Sequence, residues 1–133
     1  MNPRVVLDTN VVISGLLGGT ATEVIRRWRG GAFDLIVSEE IVSEYEQVLK
    51  RPKFKLPEWI VQELLDYIRS KAQWVEPHSI AESVVRDPFD TKFLEAAIAG
   101  HADWIVSGDK DLLDLGQFEA VAIISLREFM LHL

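Results

Sequence analysis

The sequence predicts an α/β fold, a three-layer α/β/α sandwich around a central parallel sheet. Three observations support this prediction: short apolar runs recur along the chain, amphipathic helical stripes alternate with them, and polar or acidic residues directly follow several of the runs. Apolar runs of three or four residues suit strands that are buried on both faces, and connecting helices make such strands parallel. The ligand crevice of this architecture lies beyond the carboxyl ends of the strands.

Each element has its own sequence signal. Apolar runs predict strands at 4–7, 35–37, 74–75 (a short edge strand), 104–106 and 121–124. Helical periodicity and capping signals predict helices from about Ala21 to Gly30, from Ser38 to before Pro52, from Pro57 through Ile68, from Asp87 to Gly100, and after Ser125. Thr20 with Glu23, and Ser125 with Glu128, fit capping boxes. The stretch Asp8-Thr9-Asn10 is interpreted as a polar loop that follows the first strand.

Length and charge limit the functional classes. The chain has 133 residues, 48% of them hydrophobic, which predicts one domain over residues 1–133. It has no cysteine, which excludes a disulfide framework, a zinc-thiolate site and a cysteine nucleophile, and fits a cytoplasmic location. No signal peptide or membrane span is expected. The net charge of −7 argues against loose adhesion to nucleic acid, unless cations occupy an acidic site.

Two acidic residues directly follow predicted strands. Asp8 comes after the first apolar run, and Asp109 comes after residues 104–106 with Ser107 and Gly108 between. Because the carboxyl ends of parallel strands meet at one edge of a sheet, we expect both carboxylates at that edge. Asp111 lies two residues further on, where it is either a second acid of the site or a turn residue.

A third acid lies on a helical stripe that should be buried. Asp90 is three, four and seven residues before Phe93, Leu94 and Ala97, and Phe89 is assigned to the same apolar face. On the same helical wheel, two charged residues are expected to point away from the stripe, Lys92 and Glu95. An acid on a buried face needs a cation or a hydrogen-bonding role to be tolerated.

A fourth acid, Glu44, lies on the flank of the helix that starts at Ser38, from where its side chain could reach the edge of the sheet. Carboxylates gathered in one place repel each other, so a cluster that stays ionised at neutral pH implies a bound cation. Oxygen ligands without cysteine or clustered histidine favour Mg²⁺ or Mn²⁺, and these ions bind phosphate readily. Phosphoryl chemistry with a metal-activated water is the natural use of such a site.

Structural alternatives remain open for these residues. Asp8, Asp109 and Asp111 could be turn residues, Glu44 could be a solvated flank residue, and Asp90 could serve only a helix start. For Asp87 the capping interpretation is favoured. A basic run could contact a phosphate backbone, although a solvated loop is the favoured interpretation. The run consists of Lys50, Arg51, Lys53 and Lys55.

Four segments in this order resemble the PIN-domain family, and within it the VapC-like toxin ribonucleases of bacterial and archaeal toxin–antitoxin pairs. The segments are Val5 to Val11 (VVLDTNV), Ser38 to Leu49 with Glu44 inside, Asp87-Pro88-Phe89-Asp90 before Phe93 to Ala97, and Ile105 to Leu113 (IVSGDKDLL). Together they cover nearly the whole chain. The resemblance implies a PIN-like fold and a metal-dependent endoribonuclease.

The resemblance also implies roles for individual residues. The acidic quartet around Mg²⁺ or Mn²⁺ would be Asp8, as a bridging ligand, with Glu44, Asp90 and Asp109. Asp111 matches an accessory acid, and polar positions that could orient the ligands are matched by Thr9, Asn10 and Ser107. Where the family usually has an acid after Asp90, this sequence has Thr91. Metal-activated water would attack a phosphodiester of single-stranded RNA, and the implied partners are RNA, a cognate antitoxin protein and a second copy in a homodimer.

Two other functions are consistent with part of the sequence. A phosphatase of the haloacid-dehalogenase type also starts with an Asp after the first strand, but its mechanism needs a second Asp two places later, where this chain has Asn10. A non-catalytic PIN-like module that only binds a protein partner would need no complete set of acids. Metal titration distinguishes the two rivals from the nuclease.

Overall fold

The centre of the computed structural model, which describes residues 2–80 and 87–133, is a twisted mixed sheet. Its strands are β1 (Arg4–Leu7), β2 (Asp34–Val37), β3 (Gln73–Trp74), β4 (Trp104–Val106), β5 (Gln117–Phe118) and β6 (Val121–Ile124). They lie in the order β3-β2-β1-β4-β6-β5, and all neighbours are parallel except β5 and β6. The predicted α/β fold is confirmed, but the sheet is not entirely parallel, because two residues connect β5 to β6 as a hairpin and such a short link makes strands antiparallel.

Seven α-helices surround the sheet in the described part of the chain. They are α1 (Thr9–Leu17), α2 (Thr20–Arg29), α3 (Glu39–Leu49), α4 (Glu58–Lys71), α5 (Thr91–Ala99), α6 (Lys110–Leu115) and α7 (Leu126–His132). Two 3₁₀ turns, Pro52–Phe54 and Pro88–Asp90, precede α4 and α5. Among these residues, none of the helices has both the length and the apolar character that crossing a membrane requires.

The central strands are buried on both faces, as the unbroken apolar runs predict. Val5, Val6 and Leu7 of β1 are completely inaccessible to solvent, and α5 packs against β1, β2 and β4. Burial of side chains on both faces favours a continuous apolar strand over an alternating one. The sheet therefore forms a rigid core whose carboxyl edge carries the residues that follow β1, β2 and β4.

Two helices were not predicted, and α1 corrects the interpretation of Asp8-Thr9-Asn10 as a loop. Three consecutive β-branched residues, Val11 to Ile13, and Gly15 all lower its helix propensity, so local sequence does not reveal it. Tertiary packing stabilises it instead: a Cβ built on Gly15 would come within 2.6 Å of a side-chain carbon of Ile25 on α2. The glycine allows α1 and α2 to approach closely. The other unpredicted helix, α6, has only six residues.

Two of the predicted helix starts are confirmed by side-chain caps. Ser38 accepts a hydrogen bond from the backbone of Ile41 (3.3 Å), and Ser125 accepts one from the backbone of Glu128 (3.1 Å). The predicted capping box at Thr20 is wrong, because Gly19 occupies the N-cap position with φ +87° and no side chain caps α2. Pro57 immediately precedes α4 and does not lie in its first turn.

Candidate functional site

Asp8 and Asp109 are brought together by the pairing of β1 with β4. Asp8 directly follows β1 and Ser107 directly follows the adjacent strand β4. The Ser107 hydroxyl donates a hydrogen bond to Oδ2 of Asp8 (2.6 Å) and accepts one from the backbone N–H of Asp109 (2.9 Å). One buried serine thus links the two acidic segments at the carboxyl edge of the sheet, where the sequence predicts them.

Each of these two aspartates also begins a helix. Asp8 is the N-cap of α1, and Asp109 is the N-cap of α6, where its Oδ1 accepts a hydrogen bond from the backbone N–H of Asp111 (2.7 Å). The N-cap conformation is extended and fixes the direction in which the side chain leaves the backbone. The Asp109 side chain therefore caps its helix, whereas that of Asp8 makes no capping hydrogen bond within the described residues. The cap position of each residue coexists with its place beside the other at the carboxyl edge of the sheet.

Burial and neighbouring charges raise the pKa of Asp8. Only 5% of the residue is exposed, so loss of solvation is the main cause, and the charges of Asp109 and Glu44 add to it. The hydrogen bond from Ser107 stabilises the carboxylate and partly offsets these effects. Tyr45, whose hydroxyl donates to the carbonyl oxygen of Leu7 (2.5 Å), has a pKa raised well above its ordinary value by its burial and then by the charges of Asp8 and Glu44.

Asp90 is a buried acid that lies immediately before α5. It ends the 3₁₀ turn before α5 and is only 6% exposed, and its Oδ2 is buried without a hydrogen-bond partner among the described residues. Burial raises its pKa to about 7, and the carboxylates of Asp109, Asp8 and Asp87 contribute in the same direction. The sequence correctly predicts that this side chain lies on a buried face, and the structure adds that one of its oxygens has no partner among the residues described.

Asp87 belongs to the site, which the sequence interpretation missed. Its side chain accepts a hydrogen bond from the backbone N–H of Phe89 (2.9 Å), so the predicted capping role is confirmed. In addition, Asp87, Asp90 and Asp111 each offer a carboxylate oxygen, and these oxygens all lie within 4.8 Å of one another. The spacing of three residues between Asp87 and Asp90 is the signal that could have revealed this, because residues i and i+3 align in a 3₁₀ turn.

Glu44 reaches the site from α3 but is already engaged there. Its Oε1 lies 2.8 Å from Nζ of Lys92, and its Oε2 accepts a hydrogen bond from the hydroxyl of Thr9. The Lys92 ammonium also donates to the backbone carbonyl of Phe89. Glu44 is therefore neutralised by a lysine, in addition to any interaction with the neighbouring carboxylates.

Two side-chain orientations predicted for the segment around Asp90 are wrong. Lys92, expected to point away from the buried stripe, is only 7% exposed, because Glu44 and the carbonyl of Phe89 bind its ammonium and its cation lies 5.3 Å from the ring centre of Phe93. Phe89, assigned to the apolar face, is 75% exposed. Phe89 departs from the helical wheel because residues 88–90 form a 3₁₀ turn, in which successive residues are rotated by about 120° and not by the about 100° of an α-helix.

Comparison with known proteins identifies the family and the fold of this chain. The model of the PIN-domain family matches residues 4–111, which is well over half of the chain. The chain belongs to the PIN-domain family. The crystal structure of PAE2754 from Pyrobaculum aerophilum is similar in fold, with a TM-score of 0.63 and 13% sequence identity over 98% of this chain and 88% of that chain. Among curated proteins, none matches this one.

Membership in the PIN-domain family confirms the family part of the resemblance. PIN domains are typically metal-dependent nucleases. Within the expected quartet, the charges of Asp109 and Glu44 raise the pKa of Asp8, and the charges of Asp109 and Asp8 raise that of Asp90. Thr9 and Ser107 are buried and contact Glu44 and Asp8 respectively, whereas Asn10 is exposed. The polar residues expected to orient the acids thus include two that hydrogen-bond to them.

The basic run lies elsewhere on this PIN domain. Helix α3 starts at the carboxyl edge of the sheet and runs for 11 residues, about 16 Å, before the run begins. Lys50 is exposed and pairs with Glu46 (Nζ to Oε2, 2.7 Å) on the same helix. The other three members of the run, Arg51, Lys53 and Lys55, are exposed as well. The structure therefore places the run at the end of α3 that is remote from the acids.

The acidic residues fit a hard divalent cation. The donor set consists of carboxylate oxygens, which Mg²⁺ and Mn²⁺ prefer. The buried Oδ2 of Asp90, which has no partner in the part of the chain that the structure describes, is the atom that most requires a cation, since an uncompensated buried carboxylate is unfavourable. The repulsion that raises the pKa values of Asp8 and Asp90 would be relieved by the same ion.

Proposed function

We propose that this PIN domain is a metal-dependent endoribonuclease that hydrolyses RNA phosphodiester bonds with a metal-activated water. The observation that carries the proposal is the buried carboxylate of Asp90, which has an oxygen without a partner in residues 2–80 and 87–133 and lies among the charges of Asp8 and Asp109. A fold-stabilising role does not explain this arrangement, because it raises the free energy of the protein without a cation. Membership in a family of metal-dependent nucleases supports the same function.

In this proposal some residues hold the metal ion and others orient the residues that hold it. Asp8, Asp90 and Asp109 would hold Mg²⁺ or Mn²⁺, with Asp87 and Asp111 beside them. The bound ion supplies a water of lowered pKa and neutralises charge on the phosphate. Ser107 orients the carboxylate of Asp8 through its 2.6 Å hydrogen bond, and fixes the backbone of Asp109 at the same time.

The electrostatics make RNA binding dependent on the cation. The chain carries a net charge of −7, and the site brings the carboxylates of Asp87, Asp90 and Asp111 within 4.8 Å of one another. A phosphodiester that approaches these carboxylates without a cation is repelled. Chelation of the metal is therefore expected to remove RNA binding at the site as well as cleavage.

The test is cleavage of a mixed pool of single-stranded RNA by the purified protein with Mg²⁺, with Mn²⁺, and with EDTA. We expect cleavage only with a divalent ion, and its recovery when excess metal follows EDTA. Mn²⁺ binding is measured in parallel by calorimetry. Cleavage that persists in EDTA, or binding of Mn²⁺ without any cleavage of RNA, would contradict the proposal; the second outcome is the one expected of a non-catalytic protein-binding module.

A further prediction concerns the substrate contact of Phe89. This ring is 75% exposed next to Asp90, which suits stacking of an unpaired base, and it lines a groove with Lys92, Gln47 and three glutamates. Since stacking contributes about 1–3 kcal/mol per base, Phe89→Ala should raise KM for single-stranded RNA by about tenfold or more. Phe89→Tyr should restore it. The matched control is Trp59→Ala, another exposed aromatic side chain at the start of α4; an equal rise in KM in that variant would refute the role of Phe89.

The toxin role is a narrower proposal that rests on the resemblance of the four sequence segments to VapC-like toxins. In this proposal the protein acts in the cytoplasm, forms a homodimer, and is inhibited by a cognate antitoxin. Co-purification with the product of the neighbouring gene tests it, together with the molar mass of the protein in solution. A monomer that binds no such product would favour a role in RNA processing instead.

A further inference from the structure

Lys92 is a buried cation within a cluster of acids, and the proposed reaction gives it no role so far. Only 7% of the residue is exposed, although lysine is rarely buried unless it is paired. It lies two residues after Asp90, in the first turn of α5. The cost of burying an ammonium group requires that its contacts be specific.

The contacts of Lys92 connect three segments of the site. The ammonium lies 2.8 Å from Oε1 of Glu44 on α3 and donates to the carbonyl of Phe89 in the turn that carries Asp90. The other oxygen of Glu44 accepts from Thr9, the residue after Asp8. Through Glu44, Lys92 thereby joins the backbone next to Asp90 to the backbone next to Asp8.

We propose that Lys92 is a positioning residue that holds Glu44 in a partly buried ion pair, so that Glu44 anchors the segments of Asp8 and Asp90 and is not itself a metal ligand. This inference rests on the proposed function and revises the quartet that the resemblance implies. Both oxygens of Glu44 are engaged by protein groups. The metal then belongs to Asp8, Asp90 and Asp109, with Asp87 and Asp111.

The proposal predicts opposite effects on metal binding and on cleavage. The Lys92 ammonium lies in the first turn of α5, two residues after Asp90, and pairs with Glu44 beside the acids, so it repels a cation bound there. Removing its charge should therefore tighten metal binding. The same change releases Glu44 and the turn that carries Asp90, which should slow the chemical step, because small displacements of positioning groups have large effects on rate.

The first experiment measures Mn²⁺ affinity by calorimetry without RNA. We expect Lys92→Gln to bind Mn²⁺ several-fold more tightly than the wild type, Glu44→Gln to bind it several-fold more weakly, and the double variant to match the wild type, because the two charges cancel. Asp109→Asn should lose about a hundredfold or more, as expected for a removed ligand. A loss of that size in Glu44→Gln would overturn the proposal, since it would make Glu44 a ligand.

The second experiment separates positioning from contact with RNA. For Lys92→Gln we expect kcat to fall about tenfold or more with KM for RNA nearly unchanged, partial recovery in Lys92→Arg, and no further loss when Glu44→Gln is added. A raised KM with unchanged kcat would instead make Lys92 a phosphate contact. Additive losses in the double variant would show that the two residues act separately, and either result would overturn the proposal.

Control measurements distinguish a positioning role of Lys92 from an effect on stability and from failure of the proposed function. Lys71→Gln removes an exposed lysine at the end of α4 and should change neither measurement. Thermal unfolding in EDTA should show that Lys92→Gln costs more stability than the double variant, because it alone leaves the partly buried Glu44 carboxylate without its ammonium partner. If the wild type does not cleave RNA, the proposed function fails, whereas the Mn²⁺ titration and the unfolding series still decide the role of Lys92.

Discussion

Asp90→Asn is expected to stabilise the metal-free protein at pH 8 while abolishing its metal-dependent cleavage of RNA. In the folded protein burial and the charge of Asp109 raise the pKa of Asp90 from its ordinary 3.8 to about 7. The folded state therefore binds this proton more tightly than the unfolded state does, and the metal-free protein loses stability as the pH rises from about 4 to about 7. The asparagine variant has no such proton to lose.

The size of the effect follows from the pKa. A rise from 3.8 to about 7 corresponds to a penalty of at most about 4 kcal/mol at pH 8, and relaxation of the site reduces it. We expect the melting temperature of Asp90→Asn in EDTA to exceed that of the wild type by several degrees at pH 8 and by much less at pH 5. Cleavage with Mn²⁺ should fall by about a hundredfold or more, because a ligand is lost.

Calorimetric melting curves at pH 5 and pH 8, with EDTA and with Mn²⁺, measure these effects. Mn²⁺ should stabilise the wild type strongly at pH 8 and the variant weakly. The matched control is Glu95→Gln, which removes a half-buried acid of α5, the helix that follows Asp90. Glu95 does not belong to the carboxylate cluster of Asp87, Asp90 and Asp111. Glu95→Gln should change cleavage little. A melting temperature of Asp90→Asn below that of the wild type at pH 8 would show that the carboxylate stabilises the fold, contrary to the proposed role.

The strands and most helices could be predicted because their signals are local. The apolar residues of β1 and the cap at Ser38 reflect the chemistry of a few neighbouring residues, which a sequence displays directly. Helix α1 could not be predicted in this way, because Gly15 and the β-branched residues before it disfavour a helix locally. Only the packing against Ile25 explains why a glycine is suited to that position.

The residues of the site could likewise be predicted only where their signals are local. The position of Asp90 on a buried stripe follows from helical spacing, and the positions of Asp8 and Asp109 follow from strand ends. The burial of Lys92 does not follow from spacing, because its partner Glu44 is 48 residues away in the chain. A helical wheel gives the direction of a side chain but not the charge that it meets, and a flexible lysine side chain adapts to that charge.

Asp8→Asn should reduce cleavage of RNA by about a hundredfold or more and leave the fold intact. Asn can replace Asp at the N-cap of α1, and its carbonyl oxygen can still accept the hydrogen bond from Ser107. Burial and the charge of Asp109 raise the pKa of the Asp8 carboxyl, so its ionised form is unfavourable in the metal-free protein. Because the substitution removes this buried charge, the metal-free variant should be at least as stable as the wild type. The loss must therefore come from the metal and not from unfolding.

Ser107→Ala provides a graded comparison for Asp8→Asn. It removes a hydroxyl that orients the Asp8 carboxylate and the backbone of Asp109 but keeps every charge of the site. Loss of such an orienting group typically costs about 10- to 100-fold in activity or metal affinity, less than the loss of a ligand. Single-turnover cleavage with saturating Mn²⁺ should accordingly rank the wild type above Ser107→Ala, and Ser107→Ala above Asp8→Asn. Full cleavage by folded Asp8→Asn would mean that the reaction does not pass through this carboxylate, and the metal site would have to be sought among Asp87, Asp90 and Asp111 alone.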